Sequence, residues 1–364
     1  MAGRQITNLQ VLRGVAAFLI VIYHVQPLLN RLYAQSLHSH SAIVGVDIFF
    51  VLSGFVMFYS NPEPQPGAAG RFLVQRFFRI VPLYWLATAA IIAFFLIGYR
   101  PVGLHALSPR IVAESLAFIP SSFPQGRHDL ILTVGWTLMF ELFFYLSFAL
   151  TFGLRSLEKS FAILTAAFLA LSLFGQMVHP LPSLLEFYTS PIMLEFLFGA
   201  ALALLYLRWS RPAPQWLPVA GLSLLLAGFA ASFAQDAAHV PLPNKHDLRF
   251  LVLGLPALLV VAGTLAMERG GWVLKQRFFV ELGAASYALY LFHPLILQIA
   301  VTVVKPVLPA SPAVAGIVAV TACVGAAFAI HWWVEQPILS AARQLIRRAP
   351  RQPAAAALAI QPAE

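Results

Sequence analysis

Residues 9–29 read LQVLRGVAAFLIVIYHVQPLL, an almost unbroken apolar run that carries one arginine, Arg13, and one histidine, His24. A hydrocarbon core of about 30 Å needs about 20 such residues in an α-helix, so this run is long enough to cross a membrane. Eleven residues separate the two side chains, and eleven steps of about 100° return nearly to the same helical face. The run therefore predicts a transmembrane helix with a cation and a titratable base on one side, about 16 Å apart along the axis.

Nine more runs of this kind follow, at 42–60, 77–99, 131–153, 160–178, 188–207, 216–234, 249–267, 280–304 and 312–334. A shorter apolar stretch within 104–120 cannot span and predicts a re-entrant or interfacial helix. Of the 364 residues, 60% are hydrophobic and 10% charged, against about 45–50% and about 25% in soluble proteins. The chain is predicted to be an all-α polytopic membrane protein with about ten transmembrane helices, which excludes soluble enzymes, disordered chains and disulfide-rich secreted domains.

The distribution of basic residues predicts the orientation. If the N-terminus is cytoplasmic, fifteen of the 23 Lys and Arg residues fall on the cytoplasmic side and seven on the other, with Arg13 inside the first helix. Because Lys and Arg accumulate in cytoplasmic loops, both termini are predicted to be cytoplasmic. The net charge of +9 then reflects topology and contact with the lipid bilayer, and no nucleic-acid partner is predicted.

One transmembrane domain is predicted over residues 6–340. Residues 341–364 are first basic and then rich in Ala and Pro, and they are expected to form a disordered cytoplasmic tail. The triplet Glu335-Gln-Pro337 is interpreted as the stop at the end of the last helix.

Ionisable residues inside the spans are the first candidates for function, because each costs at least ~2.5–3.5 kcal/mol at the bilayer centre. For Arg13 and His24 the structural alternatives are a snorkelling arginine and a hydrogen-bonded packing histidine. Asp47 begins the second span, where it orients a histidine, pairs with an arginine or caps the helix at the interface. Glu141 lies inside the fourth span with Tyr145 one turn away, so its carboxylate must be paired, hydrogen-bonded or protonated.

Two further spans carry patterned polar residues. Arg76 and Arg79 stand three residues apart on one helical face at the start of the third span. One alternative is that they only set the topology of the chain. The other is that they form a clamp for a polyanion, because one guanidinium group can donate two hydrogen bonds to the oxygens of a phosphate. In the ninth span Ser286, Tyr290 and His293 occupy positions i, i+4 and i+7, which predicts a packing network or one wall of a pocket.

The sequence lacks the motifs of several enzyme classes. No HExxH, Walker, GxSxG or CxxC pattern occurs, and Cys323 is the only cysteine. Metalloproteases, nucleotide-driven motors and serine hydrolases have no support, and no metal site is predicted. Glu195 and His331 are weaker candidates for function.

Together these motifs resemble those of the membrane-bound acyltransferase-3 family, in particular the branch that O-acylates exopolysaccharide and O-antigen sugars. Each landmark alone is weak, but six in the family's order between residue 6 and about residue 340 are specific. They are Arg13-x10-His24, Gly45-Val-Asp-Ile-Phe-Phe-Val-Leu-Ser-Gly-Phe55, Arg76-Phe-Phe-Arg79-Ile-Val-Pro82, Trp136-Thr-Leu-x-x-Glu141-x-x-Phe-Tyr145, Ser286-Tyr-x-Leu-Tyr-Leu-x-His293 and Glu335-x-Pro337.

The resemblance implies ten transmembrane helices in a bacterial inner membrane, a cytoplasmic acyl-CoA donor and a carbohydrate acceptor. Acetyl-CoA is the expected donor, as a substrate and not a permanently bound cofactor. The acceptor is expected to be a polysaccharide or lipid-linked sugar, with polysaccharide-export machinery as a further partner. For such a transfer, the position and charge of Arg13, Arg76 and Arg79 suit the CoA phosphates.

The same transfer needs a base for the attacking hydroxyl. His24 suits this role because an imidazole takes and returns a proton near neutral pH. Asp47 or Glu141 is expected to orient that imidazole, as the carboxylate does in a catalytic triad. The aromatic and histidine side chains expected to line the acceptor pocket are Trp136, Tyr290 and His293.

The alternative is a proton-coupled secondary transporter or a sugar-lipid flippase, since ten helices with buried ionisable residues suit proton coupling as well. A transporter would show discontinuous helices in related positions of two halves, and the sequence has no such pair. The acceptor sugar, the acyl group, the oligomeric state, the oxyanion-stabilising group and the route of the acyl group across the membrane stay open.

Overall fold

The computed structural model describes residues 6–33, 40–98, 104, 107–122, 128–178, 181–238, 248–306 and 311–348. Its α-helices in chain order are α1 (Thr7–Tyr33), α2 (Val44–Ser60), α3 (Ala69–Leu96), α4 (Pro109–Leu116), α5 (Trp136–Leu150), α6 (Leu157–Met177), α7 (Ser183–Tyr188), α8 (Leu194–Arg208), α9 (Leu217–Ala237), α10 (Arg249–Val252), α11 (Gly254–Arg269), α12 (Arg277–Ala284), α13 (Ser286–Val304), α14 (Pro312–Ile330) and α15 (Gln336–Arg348). Strands β1 (Ser121–Ser122) and β2 (His128–Asp129) form a short antiparallel pair after α4.

Ten helical segments within these ranges are long and apolar enough to cross a membrane. Each overlaps one of the ten runs in the sequence, so the all-α, multi-pass architecture is confirmed. The sixth span joins α7 to α8, the eighth joins α10 to α11, and the tenth continues from α14 into α15. The short stretch between the third and fourth spans forms α4, where the Ser108 hydroxyl accepts a hydrogen bond from the Ile111 amide.

Two helix starts differ from the sequence prediction. Helix α3 begins at Ala69 and not at residue 77. The apolar run marks only part of the helix, and the more polar turns before it are helical as well. Arg76 and Arg79 therefore lie well inside this helix. The predicted ninth span, 280–304, is divided into α12 and α13, and its membrane-crossing part starts at Ser286.

The last span does not end where the sequence predicted. A five-residue π-helical segment, His331–Glu335, follows α14, and the chain continues as α15 to Arg348. Pro337, the second residue of α15, directly follows the π-helical segment and does not end the helix. The interpretation of Glu335-Gln-Pro337 as a stop is wrong, and the first part of the expected tail, 341–348, is helical. The rest of that tail lies outside the described residues.

Helix α1 occupies the middle of the bundle, in contact with α2, α11, α12, α13 and α14. Helices α2 and α8 pack at backbone distance because a glycine on each helix faces the backbone of the other. A Cβ atom on Gly54 would overlap the carbonyl of Phe196, and one on Gly199 would overlap the carbonyl of Val51. Close packing of this kind is typical of membrane helices, where small residues let backbones approach. It fixes α2 against α8, and a Cβ atom on Gly45 of α2 would likewise overlap the carbonyl of Ala16 on α1. Helix α2 is thereby held on the wall of the cavity described next.

Candidate active site

A cavity lies between α1, α2, α3, α5 and α13, and we call it the central cavity. Its free volume is about 850 Å³ when its open mouth is counted. Arg13, Arg76 and Arg79 all line it, together with Glu141 and Tyr290. Three guanidinium groups from two helices are thus brought to one cavity. The sequence alone showed only that Arg76 and Arg79 share one helical face and that Arg13 shares another with His24.

Arg76 is held by aromatic rings and keeps an unused donor. Its guanidinium carbon lies 5.3 Å from the ring centroid of Phe72 and 5.7 Å from that of Tyr145. Its Nε atom is buried and has no hydrogen-bond partner among the described residues. Stacking on two rings orients the guanidinium while leaving N–H groups available to an anion.

Arg79 is held by a buried network. Its guanidinium forms an ion pair with Glu335 and lies 5.3 Å from the ring centroid of Tyr287. The other carboxylate oxygen of Glu335 lies 2.7 Å from His331 Nδ1. Both partners belong to the π-helical segment and are buried, with 2% and 5% of their surface exposed. The Arg79–Glu335 pair is not visible in the sequence, because the two residues lie 256 positions apart.

Glu141 belongs to the arginine end of the cavity. Its carboxylate accepts hydrogen bonds from the Ser53 hydroxyl, at 2.8 Å, and from the Tyr145 hydroxyl. It also interacts electrostatically with Arg13. Within the described ranges Glu141 has no hydrogen bond to His24, so the expected orienting bond between them is not formed.

Asp47 has a different partner as well. Arg249 Nε and one terminal nitrogen donate to its two carboxylate oxygens at 3.1 and 2.9 Å, and both residues are buried. Glu195 lies fully buried beside this pair. Of the three roles that the sequence left open for Asp47, the structure shows the pairing with an arginine. The sequence had given no reason to choose Arg249 as that partner.

The two histidines form a close pair that sequence analysis did not anticipate. The ring centroids of His24 and His293 lie 4.8 Å apart. His24 Nδ1 lies 2.9 Å from the carbonyl oxygen of Ile20, and His293 Nδ1 lies 2.8 Å from that of Tyr290. Since a carbonyl only accepts, each Nδ1 carries the proton and each Nε2 is left with a lone pair. His293 Nε2 is buried without a partner in the described part of the chain.

Tyr290 connects the central cavity to the histidine pair. Its hydroxyl donates to the carbonyl of Val134 at 2.8 Å and lies 2.7 Å from the Thr137 hydroxyl. The same ring lines the cavity, and its centroid lies 6.0 Å from that of His293. Trp136 instead packs edge-on against Phe140, with 5.9 Å between ring centroids. Of the predicted acceptor set, the structure thus groups Tyr290 with His293.

Comparisons with known proteins identify the family of the chain. The acyltransferase domain called acyltransferase-3 matches residues 6–333. The exopolysaccharide production protein ExoZ of Rhizobium meliloti (strain 1021) is 34% identical over 259 residues, which cover 70% of this chain and 77% of that protein. Protein 2 in the picA locus of Rhizobium radiobacter is 35% identical over 147 residues, covering 36% of this chain and 74% of that protein. No solved structure matches the chain.

Proposed function

The chain belongs to the acyltransferase-3 family and is a membrane acyltransferase, and we propose that it moves an acetyl group from cytoplasmic acetyl-CoA to a hydroxyl of a cell-envelope or exported carbohydrate. The observation that carries the proposal is one cavity with three arginines on its wall and, beyond Tyr290, two histidines with free Nε2 lone pairs. The name of the relative that acts in exopolysaccharide production supports a carbohydrate acceptor.

The arginines suit the phosphates of the donor. Arg76 offers a buried and unpaired N–H, and Arg79 keeps N–H groups beyond those that Glu335 accepts. Arginine forks bind phosphate oxygens in pairs, and the bond is strongest where water is excluded. The pantetheine arm of CoA spans a length of the same order as the ~16 Å between Arg13 and His24 along α1. The phosphates of CoA can therefore lie at the Arg13 end while the thioester lies near the histidines.

His24 is the proposed general base. In the first step its Nε2 takes the proton of the acceptor hydroxyl while the hydroxyl oxygen bonds to the thioester carbonyl carbon. The tetrahedral intermediate then expels the sulfur as the C–S bond breaks, and the imidazolium returns its proton to the thiolate. The products are an ester on the carbohydrate and free CoA. The hydrogen bond from His24 Nδ1–H to Ile20 fixes the tautomer, a task that a carboxylate performs in triads.

The acceptor and the surroundings of the protein follow from the same proposal. Tyr290 and His293 present aromatic faces that suit the apolar sides of sugars. Trp136, which packs on Phe140, precedes Thr137, the hydrogen-bond partner of Tyr290. A polysaccharide or lipid-linked sugar acceptor, a bacterial inner membrane and contact with polysaccharide-export machinery are parts of this proposal.

Arg79 provides a test of the donor site. In Arg79→Ala we expect the KM for acetyl-CoA to rise about tenfold, the loss typical of one charge-assisted phosphate contact, with a smaller change in kcat. The measurement is steady-state release of free thiol by the purified protein in nanodiscs. Arg277→Gln is the matched control, since Arg277 is 90% exposed and lies near Glu281 on α12. An unchanged KM in Arg79→Ala would remove Arg79 from the donor site.

The decisive experiment compares wild type with His24→Ala. Thiol release from acetyl-CoA is followed in the presence of crude envelope polysaccharide, with His40→Ala as a control because His40 is exposed. We expect turnover to fall by at least about 100-fold in His24→Ala, the effect of losing a general base, and to be retained in the control. Turnover at the wild-type rate in a folded His24→Ala protein would contradict the mechanism.

A further inference from the structure

A second opening lies outside the central cavity, between the first turns of α3 and the C-terminal helix α15. We call it the α3–α15 groove. Its free volume is about 1,080 Å³ when its open mouth is counted. Arg71, Gln75 and Phe78 line it from α3, and Ala342 and Arg343 from α15. The side chains from α3 recur at a helical spacing of three to four residues, so one face of each helix borders the groove.

The groove is basic, and its outer charges have no carboxylate partner in the described part of the chain. Four arginines line it, and none of its lining residues is acidic. Arg79 is paired with Glu335. Among the described residues Arg71 has no ion pair, and the hydrogen bond of Arg343 goes to the Ser340 hydroxyl, at 3.3 Å. Arginines collected in a concave surface without carboxylates attract an anion with several charges, because field lines concentrate in such a cleft.

The groove and the central cavity share two residues. Arg76 and Arg79 line both, so they form the boundary between the basic groove and the central cavity, whose wall residue Tyr290 packs near His293. A ligand suited to both spaces has a broad anionic end and a narrow reactive arm. An anionic lipid headgroup offers the same phosphate chemistry to the groove, but it makes no use of the continuity with the cavity.

We propose that the α3–α15 groove binds the phosphate-bearing nucleotide end of the acyl donor, with Arg71 and Arg343 as its outer contacts and α15 as one wall. The identity of the ligand rests on the proposed function. The proposal adds residues outside the Arg76–Arg79 motif and gives α15 a role in substrate binding.

The test uses the full chain in nanodiscs of phosphatidylcholine, with the double variant Arg71→Gln/Arg343→Gln and the control Arg277→Gln. Binding of adenosine 3′,5′-bisphosphate, which carries no pantetheine arm, is measured by calorimetry. We expect at least ~10-fold weaker binding in the double variant and no change in the control. Arg343→Lys, which keeps the charge, is expected to fall between them. Equal binding by wild type and the folded double variant would overturn the proposal.

Turnover measurements distinguish a failure of this proposal from a failure of the proposed function on which it rests. In the double variant we expect the KM for acetyl-CoA to rise by the same factor while kcat is retained. With S-acetyl-pantetheine, which lacks the nucleotide, wild type and variant should not differ. If the wild type releases thiol from neither donor but binds the bisphosphate through Arg71 and Arg343, the proposed function fails and the groove stands. If both arginines affect activity only in nanodiscs that contain phosphatidylglycerol, the groove is a lipid site and the proposal fails.

Discussion

At the residue scale, the buried group of Asp47, Arg249 and Glu195 carries one positive side chain against two carboxyl groups. Asp47 and Arg249 are joined by two hydrogen bonds, and all three residues are buried. Breaking a buried ion pair costs about 3–5 kcal/mol, because the remaining charge is left without a partner. The two ends of this pair are not equivalent, since Glu195 lies beside it.

This arrangement predicts an asymmetry between two substitutions. Asp47→Asn leaves Glu195 available to Arg249, whereas Arg249→Gln leaves two buried carboxyl groups facing each other. We expect Arg249→Gln to lower the free energy of unfolding by the full ~3–5 kcal/mol and Asp47→Asn by clearly less. Thermal unfolding in the same detergent compares them, and Glu195→Gln in the Asp47→Asn background should remove the compensation. A larger loss from Asp47→Asn would contradict the role given to Glu195.

At the element scale, the π-helical segment His331–Glu335 determines where Glu335 points. A π-helical turn contains one residue more than an α-helical turn, and such segments occur often at functional sites. Deleting one residue would restore an α-helix and rotate Glu335 by about 100° relative to α14. Trp333 is suited to the deletion because 76% of its surface is exposed, so little packing is lost with it.

We therefore expect deletion of Trp333 to raise the KM for acetyl-CoA at least as much as Arg79→Ala, because Arg79 loses its buried partner and α15, which carries Arg343, rotates together with Glu335. Trp333→Ala removes the same side chain without changing the helical register, and its KM should equal that of wild type. Steady-state thiol release measures both, with thermal unfolding as the check on folding. A deletion variant with the wild-type KM would show that the segment does not position Arg79.

At the scale of the whole molecule, the sequence predicted the elements far better than their contacts. Each span is a local property, visible as about 20 apolar residues, and the shared face of Arg13 and His24 follows from helical geometry alone. The pairing of His24 with His293 depends on how helices that are far apart in the sequence pack together, and the spacing of residues along the sequence does not reveal this. The π-helical segment was also hidden, because its residues have ordinary helical character and Pro337 resembles a terminator.

The orientation of the bundle joins these scales, since the proposed function requires the arginines to face the compartment that holds acetyl-CoA. The positive-inside rule predicts that the end with Arg71 and Arg343 is cytoplasmic.

Cysteine labelling tests this orientation. Cys323 is buried and is the only cysteine, so a single cysteine introduced at an exposed site reports the side of the membrane on which it lies. Ser210 follows the sixth span and Lys305 the ninth, and both are exposed. We expect a membrane-impermeant maleimide to label Lys305→Cys in cells with a permeabilised outer membrane, and Ser210→Cys only after the inner membrane is opened. The reverse pattern would place the arginine end away from acetyl-CoA and would count against the donor site itself.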